Sequence, residues 1–412
     1  MNELPGHLAA FSVQQHYDRY TPINQAVWRY VMRQNHHFLG QHAHEAYVEG
    51  LRSSGIGVES IPRTEVMHAS LGRFGWGAVN VDGFIPPAAF MEFQAHGILP
   101  IAADMRTLDH ISYTPAPDII HEAAGHAPIL FDAGFSAFVK RLAAIGAKAM
   151  GTEADQELYE AIRRLSIVKE DPAATPAEVA EAEADFLRKQ AAITETSAAG
   201  LVSRFYWWTV EYGLIGSLAA PKIYGAGLLS SVGESKRALT DQVKKIPFSL
   251  EGVLNTSYDI TTYQPQLFVC ESFDQLLEAA EELETYLSKR PEGVAEATGQ
   301  PAVTPRPAGP AKEPTTPVVS EAHQRDLQEL YRRVRALRED ATSEPLEGGL
   351  REVWRQLDAQ YPADWLLRLE MLELASERKV LVSEQGRLWE QLKALETDAE
   401  KTELIEEGLA LI

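Results

Sequence analysis

In the stretch Pro117-Asp-Ile-Ile-His-Glu-Ala-Ala-Gly-His126, two imidazoles and a carboxylate fall within six residues. This is close to H-E-x-x-H, in which histidines four apart share one helix face and bind one metal ion. Here His121 and His126 are five apart. Five residues turn a regular α-helix through about 140°, which does not aim both rings at one ion. Gly125 offers a place for the helix to distort or end, and on that condition the two histidines can share a metal.

A third ligand is suggested by Phe205-Tyr-Trp-Trp-Thr-Val-Glu-Tyr-Gly-Leu-Ile215, where Glu211 is the only acid in an aromatic and apolar segment. A buried carboxylate without a partner is costly, so Glu211 calls for a cation, a proton or strong donors. Two histidines and one carboxylate that leave the opposite positions open form the facial triad of non-heme Fe(II) oxygenases. Plainer readings stand beside this one. A lone histidine is usually a surface or satisfied core residue, and Glu211 can instead pair with Arg204 or Lys222.

The elements that must position these groups are mostly helices. Thr175-Pro-Ala-Glu178 is a capping box with proline at the first helical position, opening a helix toward Ile193. Another helix is expected over Leu201 to Ile215. Short β-type runs occur at Gly77 to Val81 and Gln266 to Val269, so the fold class is mainly α with minor β. Between Pro291 and Pro317 lie seven of the 23 prolines, a composition that cannot pack a core and marks a linker. Beyond it, apolar residues at helical spacing around Leu327 to Leu337, Trp365 to Leu372 and Leu388 to Leu395 predict three helices. Asp364 is placed to cap the second, and Pro345 with Gly348 and Gly349 reads as a turn. The expected organisation is a catalytic domain over 1–290, a Pro-rich linker over 291–318 and an all-α region over 319–412.

Composition narrows the function classes. With 59 acidic and 38 basic residues the net charge is -21, and no basic run could track a phosphate backbone, so nucleic acid is not expected as a partner. Cys270 is the single cysteine, which fits a reducing, cytoplasmic compartment. The sequence offers neither a signal-peptide pattern nor 18 successive apolar residues, so no membrane span is expected.

Four blocks in one order resemble the pterin-dependent aromatic amino acid hydroxylases. They are Val81-Asp-Gly-Phe-Ile-Pro-Pro-Ala-Ala-Phe90; Arg106 through Tyr113-Thr-Pro-Ala-Pro to His126; Tyr206-Trp-Trp-Thr-Val-Glu-Tyr-Gly-Leu214; and Tyr224-Gly-Ala-Gly-Leu-Leu-Ser-Ser-Val-Gly-Glu234. The likeness spans Tyr17 to Leu287. It implies a hydroxylase-like catalytic domain in which His121, His126 and Glu211 bind Fe(II). Gly83, Phe84, Ile85, Pro87, Phe90, Glu122 and Tyr206 would hold a tetrahydropterin, with Phe90 as the stacking ring and Glu122 beside the pterin rather than acting as a peptidase base. Arg106, Tyr113, Thr114, Pro115, Trp207, Gly227, Ser230 and Ser231 would form the amino acid pocket. In that pocket the Arg106 guanidinium would grip both oxygens of the substrate carboxylate, Trp207 would face the substrate ring, and Trp208 would be core.

The resemblance implies a monooxygenase that uses O2 and tetrahydropterin to hydroxylate the ring of a free aromatic amino acid. Phenylalanine is preferred because Ile260, not an acid, occupies the Tyr258 to Thr262 loop; tryptophan or tyrosine is the alternative. A zinc hydrolase and a non-catalytic scaffold remain readings of other classes. The chain departs from the family in three places. It carries extra length within about 150–195, expected to be a helical hairpin outside the active site. An N-terminal regulatory domain is not expected, because the resemblance starts at Tyr17. Its C-terminal helices could form a homo-oligomer or recruit a protein partner.

Overall fold

The structure, a computed structural model, describes residues 4–290, 321–339 and 343–412, apart from 113, 115, 150, 172, 194, 261 and 396. The expected linker at 291–318 lies outside the described residues. What forms is mainly α with minor β. The chain divides into two compact units. One comprises the described residues of Met1–His16, Phe38–Gly57 and Ile61–Thr315, the other those of Tyr17–His37, Val58–Ser60 and Thr316–Ile412.

The first unit contains both sheets. Strands β1 (Ser12–Val13), β2 (Gly77–Val81) and β3 (Ile98–Ala102) lie in that order, with β1 antiparallel and β3 parallel to β2. A parallel pair needs a crossover, here the helix Pro87–Ala95, opened by two prolines whose missing N–H groups cost a helix start nothing. The loop entering that helix turns at Gly83, whose φ of +56° favours glycine. Behind it Leu8, Val81, Ala89 and Phe93 are buried together.

The second sheet contains β4 (Leu214–Ser217), β5 (Ala220–Ile223), β6 (Lys244–Pro247) and β7 (Gln266–Cys270), in the spatial order β5-β4-β7-β6. Strands β2 and β7 are the two expected from sequence. The helix expected over Leu201 to Ile215 is shorter. It runs over Ala198–Tyr206, continues as a π turn over Trp207–Glu211, and gives way to β4. Gly213 fixes the break, since a Cβ there would lie 2.0 Å from the Tyr224 ring and 2.4 Å from the Thr209 carbonyl.

The extra segment is a helical hairpin, Glu153–Glu170 and Pro176–Ala192, and each helix begins with a capping box, at Thr152 and at Thr175. Ala161, Leu165, Ala182 and Phe186 form its buried seam.

In the second unit the described residues beyond the linker form five helices, not three: Glu321–Glu339, Ser343–Gln360, Leu366–Glu377, Val382–Lys393 and Ala399–Leu409. The expected turn at Gly348 and Gly349 lies inside the Ser343–Gln360 helix. A Cβ on Gly349 would come within 2.8 Å of Leu337, so this glycine lets two helices approach rather than breaking one. Asp364 accepts the Leu367 N–H at 3.0 Å, as a cap should, and the Tyr331 hydroxyl as well. Leu366 to Ala375 is buried all round, the mark of a central helix.

Arg29, on the helix Pro22–His42, donates from Nε and Nη2 to Glu370 of that central helix, and the Tyr30 hydroxyl donates to the Leu404 carbonyl at 2.8 Å. A domain division at residue 290 thus places 17–37 with the N-terminal part, whereas the fold groups them with the C-terminal helices. The reason is a buried charge whose partner is 341 residues away. Among the described residues no helix is long and apolar enough to cross a membrane.

Candidate metal centre and its surroundings

Residues His121–His126 form a π-helical turn, closed by the Ala127 N–H on the Glu122 carbonyl, five residues back. In a π turn, residues five apart stand above one another as residues four apart nearly do in an α-helix. The spacing that spoils a regular helix therefore suits this one. Gly125 has a different role from the expected one. A Cβ there would lie 2.6 Å from the Ala226 carbonyl, so glycine permits close packing of two segments. The Tyr47 hydroxyl donates to the Ala124 carbonyl at 2.7 Å, which satisfies an acceptor within the widened turn.

Glu211 ends the second π turn, where the Tyr212 N–H reaches the Trp207 carbonyl five residues back. Thr209 Oγ1 donates to the Phe205 carbonyl at 2.6 Å. The two distorted helices bring three ligand groups together. His121 Nε2 and His126 Nε2 are 3.1 Å apart, and Glu211 places Oε2 3.4 Å from the first and Oε1 3.2 Å from the second. Among the described residues this is the one such histidine and carboxylate cluster able to hold a metal ion. The ion-pair alternatives for Glu211 do not form, because Arg204 donates to the Leu254 carbonyl and Lys222 to the Gln41 carbonyl.

Neighbours fix the protonation of this cluster. Ser230 Oγ donates to the Ala226 carbonyl at 2.8 Å, so its 3.0 Å contact with His121 Nδ1 is one in which it accepts. That places the His121 proton on Nδ1 and leaves Nε2 bare. Burial lowers the His121 pKa to about 4, with Glu211 opposing. Burial also disfavours charge on His126, but the Glu211 carboxylate overrides it and the pKa rises. For Glu211 burial raises the pKa, and the two histidines, with a Gly227 N–H on the carboxylate, bring it below the usual range. Three lone pairs facing one point repel unless a cation or proton sits among them.

Asp118 is the residue that the sequence reading missed. Arg106 is buried, and its Nε and Nη2 donate to Asp118 at 2.8 and 2.9 Å while Nη1 donates to the Ser230 carbonyl at 3.2 Å. Asp118 Oδ1 also accepts the His121 N–H at 2.9 Å, as an N-cap would. The guanidinium fork expected to hold both oxygens of a substrate carboxylate is thus engaged by the protein, with Nε and Nη2 on Asp118 and Nη1 on the carbonyls of Ser230 and Ile111. The signal was an acid three residues before the first histidine.

Trp207 also meets protein rings. It stacks on Tyr258 at 4.5 Å and lies 4.6 Å from Tyr212, whereas Trp208 is core, as expected. Its Nε1 reaches Gln264 Oε1 at 3.4 Å, and Gln264 Nε2 donates to the carbonyls of Asp259 and Thr262. Glu234 receives the Gln264 N–H at 2.9 Å and the Tyr212 hydroxyl at 3.2 Å. Glu234 and Gln264 therefore hold the loop that carries Tyr258 and Ile260.

Gly227 packs so tightly on Tyr212 that a Cβ would lie 3.0 Å from its ring. Ser231 Oγ donates to the Ser112 carbonyl at 3.0 Å, and Thr114 Oγ1 to the Ala116 carbonyl at 2.8 Å. Tyr113 and Pro115 lie outside the described residues.

On the other side, Phe90 meets Tyr206 edge-on at 5.9 Å, and the Tyr206 hydroxyl exchanges hydrogen bonds with Gln94. Ile85 packs on the cluster around Phe93, Pro87 opens the helix, and the Phe84 carbonyl accepts the Tyr159 hydroxyl at 3.2 Å. Glu122 is buried with Oε2 lacking any hydrogen-bond partner, and burial raises its pKa to about 8.

Comparison with known proteins places this geometry. A phenylalanine-4-hydroxylase from Ralstonia nicotianae is 29% identical over 271 residues, covering 65% of this chain and 72% of its own length. One from Chromobacterium violaceum is 28% identical over 271 residues, 65% of this chain and 76% of that protein. A crystal structure of the Chromobacterium violaceum phenylalanine hydroxylase with bound iron(III) and 7,8-dihydrobiopterin matches at a TM-score of 0.52 and 25% identity, over 68% of this chain and 87% of that one. The family model for biopterin-dependent aromatic amino acid hydroxylases matches residues 14–173 and 189–294, most of the chain. The chain belongs to the biopterin-dependent aromatic amino acid hydroxylases.

Proposed function

We propose that this chain is a monooxygenase that converts L-phenylalanine to L-tyrosine with Fe(II), tetrahydropterin and O2. The observation that carries the reading is the convergence of His121, His126 and Glu211 within a chain of this family. The donor set fits an ion. Nitrogen ligands about 2.1 Å from a metal and at right angles stand about 3.0 Å apart, close to the spacings among these three groups. Two imidazoles and a carboxylate with open positions opposite suit iron oxygenase chemistry. A buried Glu122 Oε2 that makes no hydrogen bond, with His126 Nε2 at 3.9 Å, fits a polar group on a pterin.

Iron and pterin, when bound, supply the redox chemistry that activates oxygen. The protein's part is to hold, orient and keep dry. Ser230 fixes the His121 ring and Gly227 steadies Glu211. In this reading Gly83, Phe84, Ile85, Pro87, Phe90, Glu122 and Tyr206 form the pterin side. Arg106, with Asp118 behind it, and Tyr113, Thr114, Pro115, Trp207, Gly227, Ser230 and Ser231 form the amino acid side. Ile260, in place of an acid, and the relatives named phenylalanine-4-hydroxylase favour phenylalanine. The proposal also keeps catalysis in 1–290 and gives the helices after 319 a role in assembly, which solution mass would check.

Metal analysis tests the reading. Stoichiometric iron with tetrahydropterin-dependent oxygen uptake supports it, whereas zinc with peptide cleavage and no pterin dependence overturns it.

A further inference from the structure

We infer that the hairpin Glu153–Glu170 and Pro176–Ala192 is part of the wall of the active site, and that Tyr159 is a positioning residue for the pterin-side loop. The inference rests on the pterin reading of Gly83 to Phe90 given above. It departs from the sequence expectation of a hairpin outside the active site.

Two contacts made by one hairpin carry it. The Tyr159 hydroxyl, on the first helix, donates to the Phe84 carbonyl at 3.2 Å across 75 residues of sequence. Phe84 follows Gly83, in a loop between strand and helix where no ladder partner takes that carbonyl. On another part of the hairpin, Ile260 packs against the seam of Ala161, Leu165, Ala182 and Phe186. Ile260 lies two residues from Tyr258, which stacks on Trp207, one helical turn before Glu211. Gln264 holds the same loop through the carbonyls of Asp259 and Thr262.

The hairpin therefore touches the pterin-side loop through a hydrogen bond and the ring-side loop through apolar packing. Capping boxes at both helix starts and a shared seam make it a firm support. The family match is interrupted at 174–188, a stretch that covers most of the second helix, including Ala182 and Phe186. A loop already held in its binding conformation loses less freedom when a ligand arrives. Removing one such anchor should weaken binding of the ligand on that loop and spare the other.

The test uses the full chain with Tyr159→Phe, which keeps the ring and removes the hydroxyl. Hydrogen exchange at residues 82–90 reads the loop directly, and calorimetry without oxygen reads binding of tetrahydrobiopterin and of phenylalanine. We expect faster exchange at 82–90, tetrahydrobiopterin binding weaker by about threefold to tenfold, phenylalanine affinity unchanged, and less tyrosine formed per pterin oxidised. Leu165→Ala opens the seam and should instead speed exchange at 258–264 and weaken phenylalanine binding. Arg188→Ala, at an exposed pair with Asp185 on the hairpin, should change none of these. Wild-type exchange at 82–90 and wild-type pterin affinity in Tyr159→Phe would overturn the inference. Equal losses for both ligands would do the same, by assigning Tyr159 to general folding. If the wild-type chain binds no pterin, the proposed function fails, and the exchange at 82–90 still decides whether Tyr159 holds that loop.

Discussion

Two buried arginines, Arg106 in the first unit and Arg29 in the second, each use Nε and Nη2 to bind one buried carboxylate, Asp118 and Glu370 respectively. As burials they are alike, since each takes two charges out of water and neither is by itself a sign of stability. They differ in what else the acid holds. Asp118 also accepts the N–H groups of Arg106 and His121, and the Arg106 guanidinium keeps its pKa below the usual carboxylate range although burial alone would raise it. Glu370 sits on a helix buried all round and serves the packing of that helix. The same pair of groups thus orients a metal ligand in one place and fixes helix packing in the other.

The largest effect should come from the cluster that Asp118 supports. Glu211→Ala removes one of three ligand groups, and iron affinity should fall by more than the roughly 100-fold typical of supporting residues. Asp118→Ala and Glu370→Ala then divide the two pairs. Each leaves a buried arginine uncompensated and should cost about 3–5 kcal/mol on denaturation. Asp118→Ala should also lower iron occupancy, while Glu370→Ala leaves it at the wild-type level, measured by metal content of the folded fraction. Equal iron loss in both would erase the distinction.

Ser230→Ala removes the acceptor that fixes the His121 tautomer, and metal affinity should fall about 10-fold with little change in stability. The smallest effect concerns Glu234, whose pKa burial raises from 4.5 to about 7. Between these values the unfolded chain has released a proton that the folded chain retains, so this group's contribution to stability falls as pH rises through that window and is level above it. Glu234→Gln should lack that slope, seen by comparing Tm of the two proteins at steps from pH 4.5 to 7.

The metal cluster was legible because its chemistry is local. His121, Glu122 and His126 are neighbours in sequence, and a lone acid among aromatics singles out Glu211. The π turns were not legible, since hydrophobic periodicity does not separate them from an α-helix interrupted by Gly125. Asp118 was hidden by having two roles, cap and counter-ion. The second unit was least legible. Gly348 and Gly349 look like breakers until Leu337 is seen to need the space of Gly349, and Arg29 gives no sign that its partner is Glu370. Patterns within a helix are written in sequence, whereas partners hundreds of residues apart are not.

The most direct test is product identification after incubating the purified chain with Fe(II), O2, a tetrahydropterin and each of phenylalanine, tryptophan and tyrosine in turn. The account predicts tyrosine from phenylalanine as the main product, absent when iron or pterin is withheld. No hydroxylated amino acid from any of the three, with iron and pterin both bound, would contradict it.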